Sequence, residues 1–416
     1  MKEKIDRRDF LKVATAASMS AFIPGFQAWA AGGTGTVGDG SKLVVVFLRG
    51  AVDGLSIVVP HGESLYYSVR PKIAIQSSGG SGGPLVLDSD FSIHPSLAPL
   101  VPLWKNKSMA FVLNSGSPDP TRSHFDAQDF MESGMPGNKT ASTGWLNRLL
   151  TKLPNNNSPV RAINLGTTTP RILQGPISSA TYTPTRRPGQ HAPIDRPGIS
   201  DIFRSMYEGR NDDLERAYCE GMEARATIKE KLSDEQVMAN QGALPANRFG
   251  AFGKQLGKLL RDEPKVQVAF VGLGGFDTHV NQGSAKGQLA NQLITIGNGL
   301  SELVTALGPT YKKTMILVMS EFGRTVKENG NGGTDHGHGN CLWMLGGSIN
   351  GGKMYGRWDG IHQNALYEGR DLPVTTDFRA VLSSVIGEHM NLSRAQLDYI
   401  FPEFKQTDNS LANLLT

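Results

Sequence analysis

The chain has 416 residues, 39% of them hydrophobic and 19% charged, which is the composition of a folded globular protein and excludes a disordered one. Its 42 basic and 38 acidic residues leave a net charge of +4, and five of the basic ones (Lys2, Lys4, Arg7, Arg8, Lys12) crowd the first twelve positions. The nearly neutral remainder carries no electrostatic footprint for nucleic acid, and two cysteines, Cys219 and Cys341, are too few for a zinc-thiolate site.

In chain order, Asp6-Arg7-Arg8-Asp9-Phe10-Leu11-Lys12 has the pattern of a twin-arginine export signal. A mild apolar stretch from Val13 to Phe26 follows, then Ala28-Trp29-Ala30, the small-x-small pattern that signal peptidase reads. The expected partners in export are therefore the twin-arginine (Tat) translocase and signal peptidase, with cleavage after Ala30 and a periplasmic or secreted product. Thr15, Ser18, Ser20 and Pro24 interrupt the apolar stretch, so no stable membrane span is expected. Residues 31–416 are read as a single domain.

Leu43–Leu48 (LVVVFL) is the first strand expected in that domain, apolar throughout as a strand covered on both faces is. Met109–Leu113, Ala162–Leu165, Val266–Gly272, Met315–Met319 and Leu342–Leu345 are the next. Ahead of Met315–Met319, Leu289, Leu293, Ile296, Leu300, Val304 and Leu307 recur at helical spacing, which makes a right-handed βαβ unit. Thr375-Thr376-Asp377 caps a last helix through Val381, Leu382, Val385 and Ile386. Strands alternating with helices predict an α/β fold with a mainly parallel central sheet flanked by helices. Ser77–Pro84 reads as a flexible loop, and Thr167–Gln241, proline-rich at first and helical and charged from Ile199, as an insertion covering one side of the site. Cys219 lies in that helical stretch and Cys341 opens a strand, so both are read as unpaired.

Ligands of open α/β sheets bind beyond the carboxyl ends of the strands, and that is where acids and imidazoles accumulate. Asp53 follows the first strand in a glycine-framed turn, as a metal ligand or a turn-stabilising acid. Ser115–His124 follows Met109–Leu113 and leads into a short helix, Phe125–Glu132. Thr121 and Ser123 are candidate nucleophiles at that helix start, Arg122 an anion holder and His124 a further catalytic candidate. Ser123 with Asp126 three residues on also reads as a simple helix cap. Asp126, Asp129 and Glu132 share one helix face, as ligands or exposed charges. Asp277 and His279 follow Val266–Gly272, and Glu321 and Arg324 follow Met315–Met319. Asp335, His336 and His338 place three donors in four positions on a glycine-rich loop. Imidazole with carboxylate suits a divalent ion such as zinc or manganese better than calcium. Asp53, Asp277, His279, Glu321, Asp335, His336 and His338 are the expected metal ligands.

Arg49–Leu55, Thr121–Gly134, Gly275–Gln282, Ser320–Thr325 and Thr334–Gly339 together resemble the bacterial family of unknown function numbered 1501, whose members carry twin-arginine signals. That family is similar to the alkaline phosphatase and sulfatase superfamily. The resemblance implies an acid after the first strand, a hydroxyl or thiol nucleophile at a helix start, and acid and histidine ligands after later strands. This chain departs from the superfamily in having Glu321-Phe322 where Asp-His is usual, a shortened Asp277-Thr278-His279, and no cysteine in Pro118–Arg122. The expectation is a metal-dependent hydrolase of phosphate or sulfate esters, acting on an anionic ester substrate; the alternative is a non-catalytic periplasmic binding or assembly protein on the same fold.

Overall fold

A computed structural model describes residues 40–76, 82–154, 160–182, 205–207, 209, 215, 243–405, 411 and 413–415. Ten strands form one sheet: β1 (Lys42–Arg49), β2 (Met109–Gly116), β3 (Ala162–Leu165), β4 (Ala180–Tyr182), β5 (Leu244–Pro245), β6 (Val268–Gly274), β7 (Thr314–Met319), β8 (Asn340–Gly346), β9 (Met354–Tyr355) and β10 (Thr376–Asp377). Their spatial order is β9-β2-β8-β7-β1-β6-β3-β4, with β10 beside β2 and β5 beside β6. β8 runs antiparallel to both its neighbours, β7 and β2, and every other pairing is parallel. The sheet is mainly parallel, as the alternation of elements predicts, with the one strand β8 reversed.

The apolar run of β1 is continuous because both faces of the central strand are covered. Side chains alternate across a strand, so Val44, Val46 and Leu48 pack with Leu256, Leu260, Leu293 and Leu300 on one face. Those partners belong to α3 (Phe249–Asp262) and α4 (Gln288–Leu307). Leu43, Val45 and Phe47 pack on the other face with Leu146, Leu149, Val381 and Val385, from α2 (Trp145–Lys152) and α5 (Phe378–His389). The helix expected over 289–307 is α4, and Asp377 caps α5 by accepting the Arg379 N–H. α3 and α4 touch through glycine: a Cβ on Gly253 would lie 2.0 Å from the Gly299 carbonyl oxygen.

No helix among the described residues is long and apolar enough to cross a membrane. Residues 26–183 and 239–416 make one compact unit; 1–25 and 184–238 make another, of which the described part holds a helical piece at 205–207 and a Gly209 N–H donating to Glu215 Oε1. The export signal, Cys219 and nearly all of Ile199–Gln241 lie outside the described residues.

Candidate metal centre

The site stands at one edge of the sheet because of strand direction. β1, β2, β6 and β7 deliver the residues after their carboxyl ends to that edge. β8 is reversed, so the loop before its amino end arrives at the same place and brings His336 there. The sequence pattern predicts that each cluster follows a parallel strand; 335–338 instead precede the antiparallel β8, which brings them to the same edge. α1 (His124–Ser133) begins with His124, and Ser123 is its N-cap, its hydroxyl accepting the Asp126 N–H at 3.5 Å. Two glycines permit the close approach of these loops. A Cβ on Gly50 (φ +107) would meet the Asp277 amide nitrogen at 2.6 Å, and one on Gly337 the Arg324 carbonyl carbon at 2.5 Å.

Four side chains converge. Asp277 Oδ1 lies 2.9 Å from His279 Nε2, 3.3 Å from His336 Nε2 and 3.5 Å from His124 Nε2. The Nε2 atoms of His279 and His336 are themselves 3.0 Å apart. Behind each ring stands an oxygen: Glu321 Oε1 at 2.8 Å from His124 Nδ1, Asp335 Oδ1 at 3.1 Å from His279 Nδ1, and the Arg122 carbonyl at 2.9 Å from His336 Nδ1. Carboxylates and carbonyls only accept, so each Nδ1 donates to the oxygen behind it; Nε2 either donates to Asp277 in a charged imidazole or, once that proton is lost, turns its lone pair toward Asp277. With the rings deprotonated, lone pairs so close to one another and to a carboxylate oxygen repel unless a cation lies among them; Arg324 supplies part of that charge, donating to Asp277 Oδ1 and lying 3.4 Å from His279 Nε2. The buried His124 Nε2 has no hydrogen-bond partner among the described residues. His124, Asp277 and His336 form the group whose donor atoms all lie within 4.8 Å of one another, with His279 beside them. A donor set of three imidazoles and one carboxylate fits a divalent transition ion and is a poor fit for calcium.

The electrostatics follow the geometry. Burial alone would raise the Asp277 carboxyl, but the imidazoles of His124, His279 and His336 against it and the charge of Arg324 hold it well below the usual carboxylate range. Burial opposes a charge on His124, yet the Asp277 and Glu321 carboxylates on either side of its ring push it up to about 9. His279 is raised by its bond to Asp277, and burial lowers His336. Burial would raise Glu321; the bond and charge of His124 and the amide of Gln128 bring it down to about 2 instead. Phe322 stacks on His124 at 5.0 Å and meets His336 at 5.1 Å, walling the rings with apolar surface.

Other residues singled out from the sequence are placed differently. Glu321 is fully buried behind His124, where it also accepts the Gly50 N–H and the Gln128 amide, each at 2.8 Å. Asp335 likewise supports His279 from behind. Asp53 belongs to a separate buried network: Arg70 donates to both its oxygens at 2.6 and 3.1 Å, and Ser56 and Gln282 also donate to it. His338 packs on Tyr367 at 4.7 Å, outside the donor group. Arg324, read as an anion-binding fork, is buried and committed to the carbonyls of Gly50, Ala51, Phe276 and Thr334 and to Asp277. Arg122 pairs with Glu368 and Asp371. The Thr121 hydroxyl accepts the Ser123 N–H at 3.2 Å, so both candidate nucleophiles serve local capping. The helix-face acids are paired as well: Asp126 with Lys139, Asp129 with Arg171, Glu132 with Arg49. Sequence reasoning missed Gln128, Arg49, Arg70 and Gln282. Gln128 stands one turn after His124 on α1, a spacing that signals a shared face; Arg70 has no local signal at all.

Fold and site define an α/β protein with a histidine-rich acid cluster at the carboxyl edge of its sheet. Residues 89–401 match the model described as "Protein of unknown function (DUF1501)", and the chain belongs to that family. No curated protein matches it. Among solved structures it is similar to the C-terminal periplasmic domain of EcEptC from Escherichia coli (11% identity, 92% of each chain covered, TM-score 0.39). It is also similar to Ps i-CgsB in complex with k-i-k-neocarrahexaose (10% identity, 86% of this chain and 73% of that one, TM-score 0.35). Likenesses at this level say nothing about what the site of this chain does.

Proposed function

We propose that the protein is an exported, metal-dependent hydrolase of phosphate or sulfate esters, with a divalent ion, zinc or manganese, held by His124, Asp277, His279 and His336. One observation carries the reading: three imidazoles, each with Nδ1 held by an oxygen, aim Nε2 at a single carboxylate oxygen. Oriented rings with fixed tautomers are what a metal centre requires of its surroundings. A divalent ion bound there supplies Lewis acidity toward an ester oxygen. The chain's own residues do the rest. Glu321 and Asp335 set the orientation of His124 and His279, Asp277 contributes the negative charge, and Phe322 excludes water from one side of the rings. Delivery by the twin-arginine route belongs to the same proposal, resting on Arg7-Arg8 and Ala28-Trp29-Ala30.

The test is hydrolysis of an aryl phosphate and an aryl sulfate by the purified mature protein, before and after chelation. Turnover that disappears on chelation and returns with zinc or manganese supports the reading; turnover indifferent to chelation overturns it. A second reading, a binding or assembly protein that retains the metal cluster, is favoured by the commitment of Arg122, Arg324, Thr121 and Ser123 to internal partners. Bound metal without any hydrolysis would select it.

A further inference from the structure

A group of charged side chains lies directly beside the cluster without belonging to it. Arg122 Nη2 donates to Glu368 Oε2 at 2.6 Å and to Asp371 Oδ2 at 2.8 Å. Arg370 grips the other side of Asp371, Nε to Oδ1 and Nη2 to Oδ2, both at 2.9 Å, and also donates to the His336 carbonyl at 2.8 Å. The two acids are not equivalent. Asp371 is fully buried and shared by both arginines, whereas Glu368 is 54% exposed and, among the described residues, pairs only with Arg122. With Glu368 in place the four charges balance; with it turned out to solvent, two guanidiniums face one carboxylate, a surplus of +1. Arg122 Nε is buried with no hydrogen-bond partner among the described residues, so the fork holds a further donor in reserve.

The backbone sets Glu368 apart as well. Tyr367 and Asp371 exchange both backbone hydrogen bonds, 2.8 and 3.0 Å, closing a tight turn with Glu368 inside it. Glu368 has φ +53 and Gly369 φ +63. A left-handed glutamate is uncommon and costs about 1–2 kcal/mol relative to ordinary backbone, so a feature other than local preference keeps a long acidic side chain at this position. Its proximity to the cluster is fixed by the chain: Arg122 is two residues before His124, and its carbonyl holds His336.

We propose that Glu368 is a built-in occupant of an oxyanion subsite formed by Arg122 and Arg370, and that the phosphate or sulfate group of a ligand displaces it. Arginine forks recognise such groups by paired donors, and a half-exposed ion pair is weak enough to be exchanged. The inference rests on the reading of this edge as a site for anionic esters, and gives that reading the anion holder that Arg324, being buried and committed, does not provide.

The test is calorimetric titration of the mature protein, as purified and after chelation, with inorganic phosphate and with inorganic sulfate. Glu368→Gln keeps the shape, removes the competing charge, and lies in an exposed turn that does not endanger folding. It is expected to tighten oxyanion binding by about two- to five-fold, the range an exposed ion pair allows, with or without metal. Arg122→Gln is expected to abolish that gain; should it fail to fold because Asp371 loses a partner, Arg122→Lys keeps the charge, loses the fork and must still weaken binding. Unchanged or weaker binding by Glu368→Gln, or none up to tens of millimolar, overturns the subsite. If the subsite stands and no metal is found, the hydrolase reading fails alone; if metal is bound and Glu368→Gln is indifferent, only the subsite fails. Preference between the two oxyanions tells phosphate from sulfate esters.

Discussion

Replacing Glu321 by glutamine separates support of a ligand from being one. The carboxylate is fully buried, with Oε1 accepting from His124, Gly50 and Gln128 and Oε2 lying 3.0 Å from the Ser320 hydroxyl. A glutamine keeps an acceptor at Oε1. Its new amide donates to Ser320, whose own proton already reaches the Leu48 carbonyl at 2.6 Å. Shape and hydrogen bonds survive, so the metal-free fold is expected to persist; only the charge behind His124 is lost. Removing such a second partner lowers metal affinity by about 10–100-fold, or about 1.4–2.7 kcal/mol. At neutral pH part of this is offset. The wild-type imidazole, raised to about 9, must shed a proton before it coordinates, and the variant imidazole sheds it more easily. The difference is therefore expected to widen as pH rises and to be full above about 9. Metal competition against a chromophoric chelator across that range reads it directly. The stability sign runs the other way in acid. Glu321 falls from 4.5 to about 2, so its contribution is present above 4.5 and lost as pH drops through about 2, and the variant lacks that slope. Equal affinities at high pH would refute the supporting role, and a complete loss of metal would make Glu321 a ligand itself.

Other outcomes follow from the packing. Asp53→Ala leaves the buried Arg70 guanidinium without its counter-charge and is expected to cost roughly 3–5 kcal/mol in urea unfolding, while the folded fraction keeps its metal stoichiometry. Loss of metal at intact stability would return Asp53 to the ligand set. Gly253→Ala drives a methyl into the Gly299 carbonyl between α3 and α4 and is expected to destabilise by about 1–3 kcal/mol; an unchanged melting temperature would show that the helices separate freely. Changing Arg7 and Arg8 to lysine is expected to leave uncleaved precursor inside the cell, and normal export would dismiss the twin-arginine assignment.

How far the sequence leads is set by the range of the interactions. β1, β7 and α4 are legible because their apolar patterns are local and their burial is simple. The sheet edge is legible for Asp277 and His279, since a parallel strand delivers both. The reversal of β8 is not, because an apolar run such as Leu342–Leu345 carries no direction; the arrival of His336 depends on that reversal. Among donors at the edge, residue type does not separate a ligand from its support. Glu321 and Asp335 carry the same chemistry as Asp277, but they stand on the Nδ1 side of their histidines. His124 reads as a catalytic residue beside candidate nucleophiles and emerges as a donor, because helix α1 starts one residue earlier than its apolar pattern suggests. Asp53 and Arg324 look available in sequence and are bound by partners far along the chain, Arg70 for the first and the carbonyls of Gly50, Ala51 and Thr334 for the second.

The central claim is that the His124, Asp277, His279 and His336 cluster holds a divalent ion. The direct measurement is elemental analysis of the purified mature protein, beside His336→Ala, with folding of both checked by circular dichroism. Near-stoichiometric zinc or manganese in the wild type, sharply reduced in the folded variant, is the predicted result. A wild-type protein that is purified metal-free and takes up neither ion, or a variant that retains the full complement, contradicts it.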